Sequence, residues 1–114
     1  MILNKYNYTR EKLNNAVYEL AVGPGDVRSR LLEAFQKCWF LTEDSFPEEL
    51  RSDWSWINKE MNKFGPLRDK KGEIRTDAID NTMARIKNAT GVKIAYEIYE
   101  LRFRMENYIN SQNI

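Results

Sequence analysis

The sequence predicts an all-α fold: a bundle of about five helices with a central C-terminal helix. Apolar residues recur at helical spacing in five separate stretches, each bounded by Gly, Pro or a capping Thr, Asp or Asn. Residues 65–75 carry no helical pattern. The connections are short, which favours antiparallel neighbours. The expected helices span approximately 9–22, 26–41, 47–64, 76–88 and 89–110. They belong to one helical domain, 1–114, with a loosely ordered N-terminal arm over 1–8. A chain of 114 residues buries roughly two-thirds of the surface its unfolded form exposes, enough for a core without metal or disulfide.

The first helix opens at Thr9, a candidate N-cap, and carries Leu13, Ala16, Val17, Leu20 and Ala21 on one face. Gly23-Pro24-Gly25 ends it, and Asp26 caps the second. There Val27, Leu31, Ala34, Cys38 and Leu41 repeat every four or three residues, with Leu32, Phe35 and Trp39 widening the face. After a polar connection over 42–45, Pro47 suits the first position of the third helix, and Glu48 and Glu49 complement its dipole. Its stripe is Leu50, Trp54, Ile57, Met61 and Phe64, and Gly65-Pro66 stops it. Asp69-Lys70-Lys71-Gly72 reads as a turn, flanked by Leu67 and Ile74 as anchors or as a minimal hairpin. Thr76 caps the fourth helix, with Asp77 in its first turn and Ile79, Thr82, Met83 and Ile86 facing inward. A break near Asn88, a good N-cap, is expected because Gly91 inside a helix costs about 1 kcal/mol relative to Ala.

The fifth helix differs from the others. Ile94, Ile98, Leu101, Met105 and Ile109 share one face, with Tyr108 at its edge. Val92, Tyr96, Tyr99 and Phe103 form a second apolar stripe on the opposite side, at i, i+4, i+7 and i+11. A helix apolar on two faces is either enclosed or gives its second face to a partner. On the structural reading the first helix or the N-terminal arm covers the second stripe; on the functional reading Tyr96, Tyr99 and Phe103 are a binding surface. Charged neighbours at i, i+4 (Lys93 with Glu97, Glu100 with Arg104, Arg102 with Glu106) are expected to stiffen the helix.

Composition excludes much chemistry. The chain has no histidine, which removes the commonest general base, nucleophile partner and metal ligand together. The formal net charge of +1 argues against a dedicated nucleic-acid or membrane-surface protein. Cys38 is the only cysteine; it sits on a core stripe, allows no intramolecular disulfide and fits a reducing, cytoplasmic setting. The N-terminus lacks the apolar segment of a signal peptide, and no apolar run approaches the ~20 residues of a membrane span.

The remaining candidates each have a structural reading beside the functional one. Gly23-Pro24-Gly25-Asp26 with Arg28 and Arg30 suggests a phosphate cradle but lacks a P-loop's Lys-Ser/Thr, so a turn between helices is preferred. Glu43, Asp44, Glu48, Glu49 and Asp53 have no EF-hand spacing, and acids at a helix start have an electrostatic reason to be there. Arg68, Lys70, Lys71 and Arg75 could touch a phosphate backbone, yet Asp69 and Glu73 are interleaved and a solvated loop is the simpler reading. Trp56 lies among Ser52, Lys59, Glu60 and Lys63, as an interface anchor or a residue that another element covers.

In size and composition alone the chain resembles the small helical proteins of bacteria and their phages, a resemblance that implies no function. The expectation is a non-catalytic protein-interaction module. It binds a second copy of itself, as a homodimer, or a partner protein through Tyr96, Tyr99, Phe103 and Trp56. No catalytic residue, metal ligand, cofactor, membrane contact or small-molecule substrate is expected. The alternative is a nucleic-acid-binding regulator using Arg68, Lys70, Lys71 and Arg75.

Overall fold

Among residues 5–112, those that the computed structural model describes, the chain forms five α-helices, one short hairpin and two 3₁₀ turns. They are α1 (Asn7–Val22), α2 (Val27–Gln36), α3 (Arg51–Met61), β1 (Leu67–Arg68), β2 (Ile74–Thr76), α4 (Ala78–Arg85) and α5 (Asn88–Gln112). The all-α bundle is as expected, and β1 and β2 pair antiparallel as the minimal hairpin around the turn at Gly72. Of the expected arm over 1–8, residues 1–4 lie outside the described ones, while Asn7 and Tyr8 already belong to α1. Thr9 is therefore not a cap. It is buried inside α1, and its hydroxyl donates to the Ser45 carbonyl at 2.7 Å.

α5 is the element against which α1, α2 and α3 all pack. Its inward stripe, Ile94, Ile98, Leu101, Met105 and Ile109, is buried together with Gly91. α1 runs antiparallel along one flank, where Arg10 meets Glu106 at 3.7 Å and Arg102 Nε donates to Asn14 Oδ1 at 2.8 Å. α3 runs along the other, where Arg104 reaches Asp53 at 3.4 Å and the Lys93 ammonium lies 5.6 Å from the Trp56 ring centre. Among the described residues, none of the three expected intrahelical pairs is an ion pair; three of their charges are spent on neighbouring helices instead.

The break between α4 and α5 falls at residues 86–87. Asn88 is the first residue of α5 rather than its cap, and Gly91 N–H donates to the Lys87 carbonyl at 3.1 Å. Gly91 stands inside the helix after all, and the reason is a close approach. A Cβ there would lie 2.8 Å from Val27 Cγ1 and 3.5 Å from Leu31 Cδ1. The start of α2 crosses α5 where the side chain is missing, and that packing offsets the entropic cost of glycine.

A second focus of packing lies between α2 and α3. Trp54 is buried with Phe35 and Phe46 stacked on it, at ring-centre separations of 5.7 and 5.3 Å. Its indole N–H donates to the Leu41 carbonyl at 3.2 Å, so the buried polar atom is satisfied. Phe46 carries no helical-period signal in the sequence, because it stands alone between a polar turn and Pro47. Pro47 does not begin α3: it is the extended cap of a 3₁₀ turn, Glu48–Leu50, that precedes the α-helix.

Three residues expected on inward apolar helix faces are exposed: Ala21 near the end of α1, Trp39 and Phe64. α2 ends at Gln36, and Lys37, Cys38 and Leu41 continue through i+3 hydrogen bonds that tighten the winding. Cys38 and Leu41 stay buried, but Trp39 is carried round to solvent at 61% exposure. α3 likewise stops at Met61, and Phe64 lies outside the core under the Arg85 guanidinium, 4.5 Å from its ring centre. In α4 Thr82 and Met83 are buried as expected, as is Ile86 just past its end, while Ile79 is half-buried against the core. The cap is Asp77 rather than Thr76, accepting the Asp80 N–H at 2.8 Å.

The Gly91 contact is directly testable. Leucine is the better helix former, yet Gly91→Leu lowers the unfolding free energy by about 1–3 kcal/mol through overpacking against Val27. Urea titration of both proteins measures it, and a stabilised variant would mean that α2 does not bear on α5 there.

Candidate functional site

Helical periodicity places Val92, Tyr96, Tyr99 and Phe103 within an arc of about 60°, running about 16 Å along α5. Neither α1 nor the described part of the N-terminal segment covers them. Val92 is 58% exposed, Tyr96 57%, Tyr99 49% and Phe103 49%. The structural reading of this stripe, burial within the monomer, does not hold among the described residues. α1 and α3 grip the two flanks of α5 and leave the arc between them open.

Four half-exposed side chains of this size present about 400 Å² of surface, in the range of the largest patches monomers carry. The stripe has one internal polar contact: the Tyr96 hydroxyl donates to Glu100 Oε1 at 2.7 Å. That carboxylate pushes the Tyr96 phenol above its ordinary range, because ionising the phenol would lose the bond and set two anions together. Tyr96 is therefore a neutral donor through the physiological range. Trp56 is half-buried at the α3 edge of this face, packed against the core with Lys93 over its ring. Part of Trp56 is thus covered within the chain, and its remaining surface borders the stripe.

The basic candidates are exposed on the hairpin. Arg68 donates to the Gly72 carbonyl at 2.9 Å, and the Asp69 carboxylate accepts the N–H groups of Lys71 and Glu73 at 2.9 and 3.0 Å. One of the four cations thus closes the turn, leaving Lys70, Lys71 and Arg75 beside two carboxylates.

At the Gly23-Pro24-Gly25 junction, Gly25 takes φ +85°, and Asp26 accepts the N–H groups of Arg28 and Ser29. Arg28 holds the Asp26 carboxyl below its ordinary range through a side-chain hydrogen bond, and also donates to the Ile86 carbonyl at 3.2 Å. Arg30 donates to the Leu20 carbonyl at 3.1 Å. Both guanidiniums serve helix C-termini, where carbonyls lack partners.

Sequence reasoning missed two surface features. Tyr8, Phe40 and Trp39 are neighbours, with ring centres 6.3 and 5.9 Å apart and Lys12 over Tyr8 and Phe40. Beside them an open groove of about 340 Å³ separates α2 from the start of α4, with Trp39 and Phe35 on one wall and Asp77 and Ile79 on the other. Asp80, also on that wall, is raised by burial and then by the charge of Asp77. The outward turn of Trp39 follows from where α2 gives way to the tighter i+3 winding, which no residue type in 36–40 announces.

Among the described residues, no group of three or more Cys, Asp or Glu is placed to hold a metal ion. No described helix is long and apolar enough to cross a membrane. In comparisons with known proteins, no family model matches the chain, no curated protein matches it at a significant level, and no solved structure does. Its function must be read from its own residues.

Cys38 offers a test of how closed the core is. It is fully buried, its thiol 3.7 Å from the Ala34 carbonyl, and burial pushes its pKa up to about 12. A disulfide-exchange reagent at mildly alkaline pH should leave the native protein unlabelled and label it fully in denaturant. A raised acid pKa stabilises the protonated fold, so native stability falls as pH rises from about 9 towards 12. Rapid labelling of the native protein would place Cys38 on a surface instead.

Proposed function

We propose that this protein is a small non-catalytic helical interaction module. It binds another protein chain through the outer face of α5, with Tyr96, Tyr99 and Phe103 as the anchors and Trp56 at the rim. One observation carries this reading: a continuous aromatic stripe lies exposed on a helix whose opposite stripe is already filled by the chain's own core. Tyr and Phe supply large, rigid contact area at little entropic cost, and tyrosine tolerates water when the face is unoccupied. Arg102 and Glu106 on one flank engage α1, and Arg104 and Lys93 on the other engage α3, so the face is held in shape before a partner arrives. A lone buried cysteine fits a reducing, cytoplasmic setting.

A nucleic-acid-binding role for the hairpin is less well supported. Arg68 is engaged in the turn, and Asp69 and Glu73 interrupt the remaining cations.

The test compares wild type with Phe103→Glu and Tyr99→Glu by circular dichroism and by binding. Both side chains are about half exposed, so helicity and unfolding midpoint should stay near wild type. Any association the wild type makes, with itself or with another protein, should weaken at least tenfold, as a central anchor worth about 1.4 kcal/mol or more requires. Variants that unfold would show that the stripe belongs to the core. Folded variants that retain every association would remove α5 as the binding face.

A further inference from the structure

The outer stripe of α5 has a symmetry that selects its occupant. Its spacing, four then three then four residues, reads the same in both directions about a point between Glu97 and Ile98. A second α5 laid antiparallel across that point sets Tyr96 against Tyr99 of the other copy and Val92 against Phe103. Small meets large at the ends and equal rings meet at the centre, as a well-filled seam requires. Such a contact is isologous and closes at two copies.

The flanking charges decide the direction. Lys93 and Glu100 both lie on the α3 side of the stripe, one heptad apart and next to the seam. In the antiparallel arrangement this flank faces its own copy. Lys93 then comes within about 3 Å, along the axis, of Glu100 in the other chain, and the pair occurs twice by symmetry. In a parallel pairing the residues facing Lys93 and Glu100 would be Asn88 and Ala95, which give no charge partner. Glu97, whose symmetry mate would be itself, lies farther round the helix, outside the seam. The rim supplies the rest of the area: the four stripe residues offer about 400 Å² per copy, while a standard interface takes about 800 Å² per partner. Trp56 with Lys93 on its face borders the seam on one side and Arg102 on the other. The same rotation sets α3 beside α3 and α1 beside α1.

We infer that the partner of this face is a second copy of the same chain, docked antiparallel through α5 about a twofold axis between Glu97 and Ile98. This rests on the proposed role of the α5 face and narrows it to self-association.

Sedimentation equilibrium from micromolar to millimolar protein is the first measurement, on wild type, Lys93→Glu, Glu100→Lys and the double reversal. The wild type should be dimeric. Each single reversal brings like charges together twice and should weaken dimerisation by about tenfold or more, and the double reversal should restore it to within about twofold. Spin labels at Asn110→Cys in a Cys38→Ser background then read the direction. Same-site labels should lie on the order of 35–40 Å apart in the antiparallel dimer, against about 10 Å in a parallel one. A dimer with short label distances, or one indifferent to the charge reversals, overturns the antiparallel pairing. A wild type monomeric throughout overturns self-association; the broader role of the face then survives only if Phe103→Glu abolishes binding to some other protein.

Discussion

The structure depends on how α5 is held along three of its sides. Its inward stripe meets α2 where Gly91 admits Val27, and Ile94 through Ile109 complete the buried row. α1 and α3 then fix the two flanks through Arg10, Asn14 and Asp53. Exposed ion pairs such as these contribute little stability singly. Their effect here is orientational, because they set which arc of α5 faces the core and which faces out. With the inward row full and both flanks taken, the remaining arc meets no other element among the described residues.

That outcome distinguishes the second apolar stripe from an ordinary surface. Scattered exposed apolar residues are normal on any protein. A continuous row of two tyrosines, a phenylalanine and a valine at heptad spacing is not scattered. An exposed apolar row of this size is what the proposed binding role would require, and the Tyr96 hydroxyl bonded to Glu100 gives the row one polar contact.

Trp54 organises the opposite end of the fold. Its stack with Phe35 and Phe46 draws the irregular segment after α2 into the core, and its indole N–H ties down the Leu41 carbonyl. The same rearrangement turns Trp39 outward beside Phe40 and Tyr8. Trp54 thus forms a buried centre while Trp39, just past the end of the helix packed against it, becomes surface.

Local chemistry was enough for much of this. The 3.6-residue period in each stretch named the five helices and nearly all of their buried faces, because a helix buries whichever side is apolar whatever its neighbours are. The turn at Gly23-Pro24-Gly25, the cap at Asp26, the hairpin around Gly72 and the break before Asn88 follow from backbone preferences that act within a few residues. Whether Val92, Tyr96, Tyr99 and Phe103 are core or surface is a different kind of question. Both of α5's stripes are apolar, and only the placement of α1, α2 and α3 decides which one is filled. Gly91 shows the same limit from the other side. Its cost is legible in the sequence, but the Val27 methyl that offsets it lies 64 residues away along the chain. Phe46 is buried and Trp39 exposed for the same reason: burial is a property of position in space, and helical period measures it only where the helix continues.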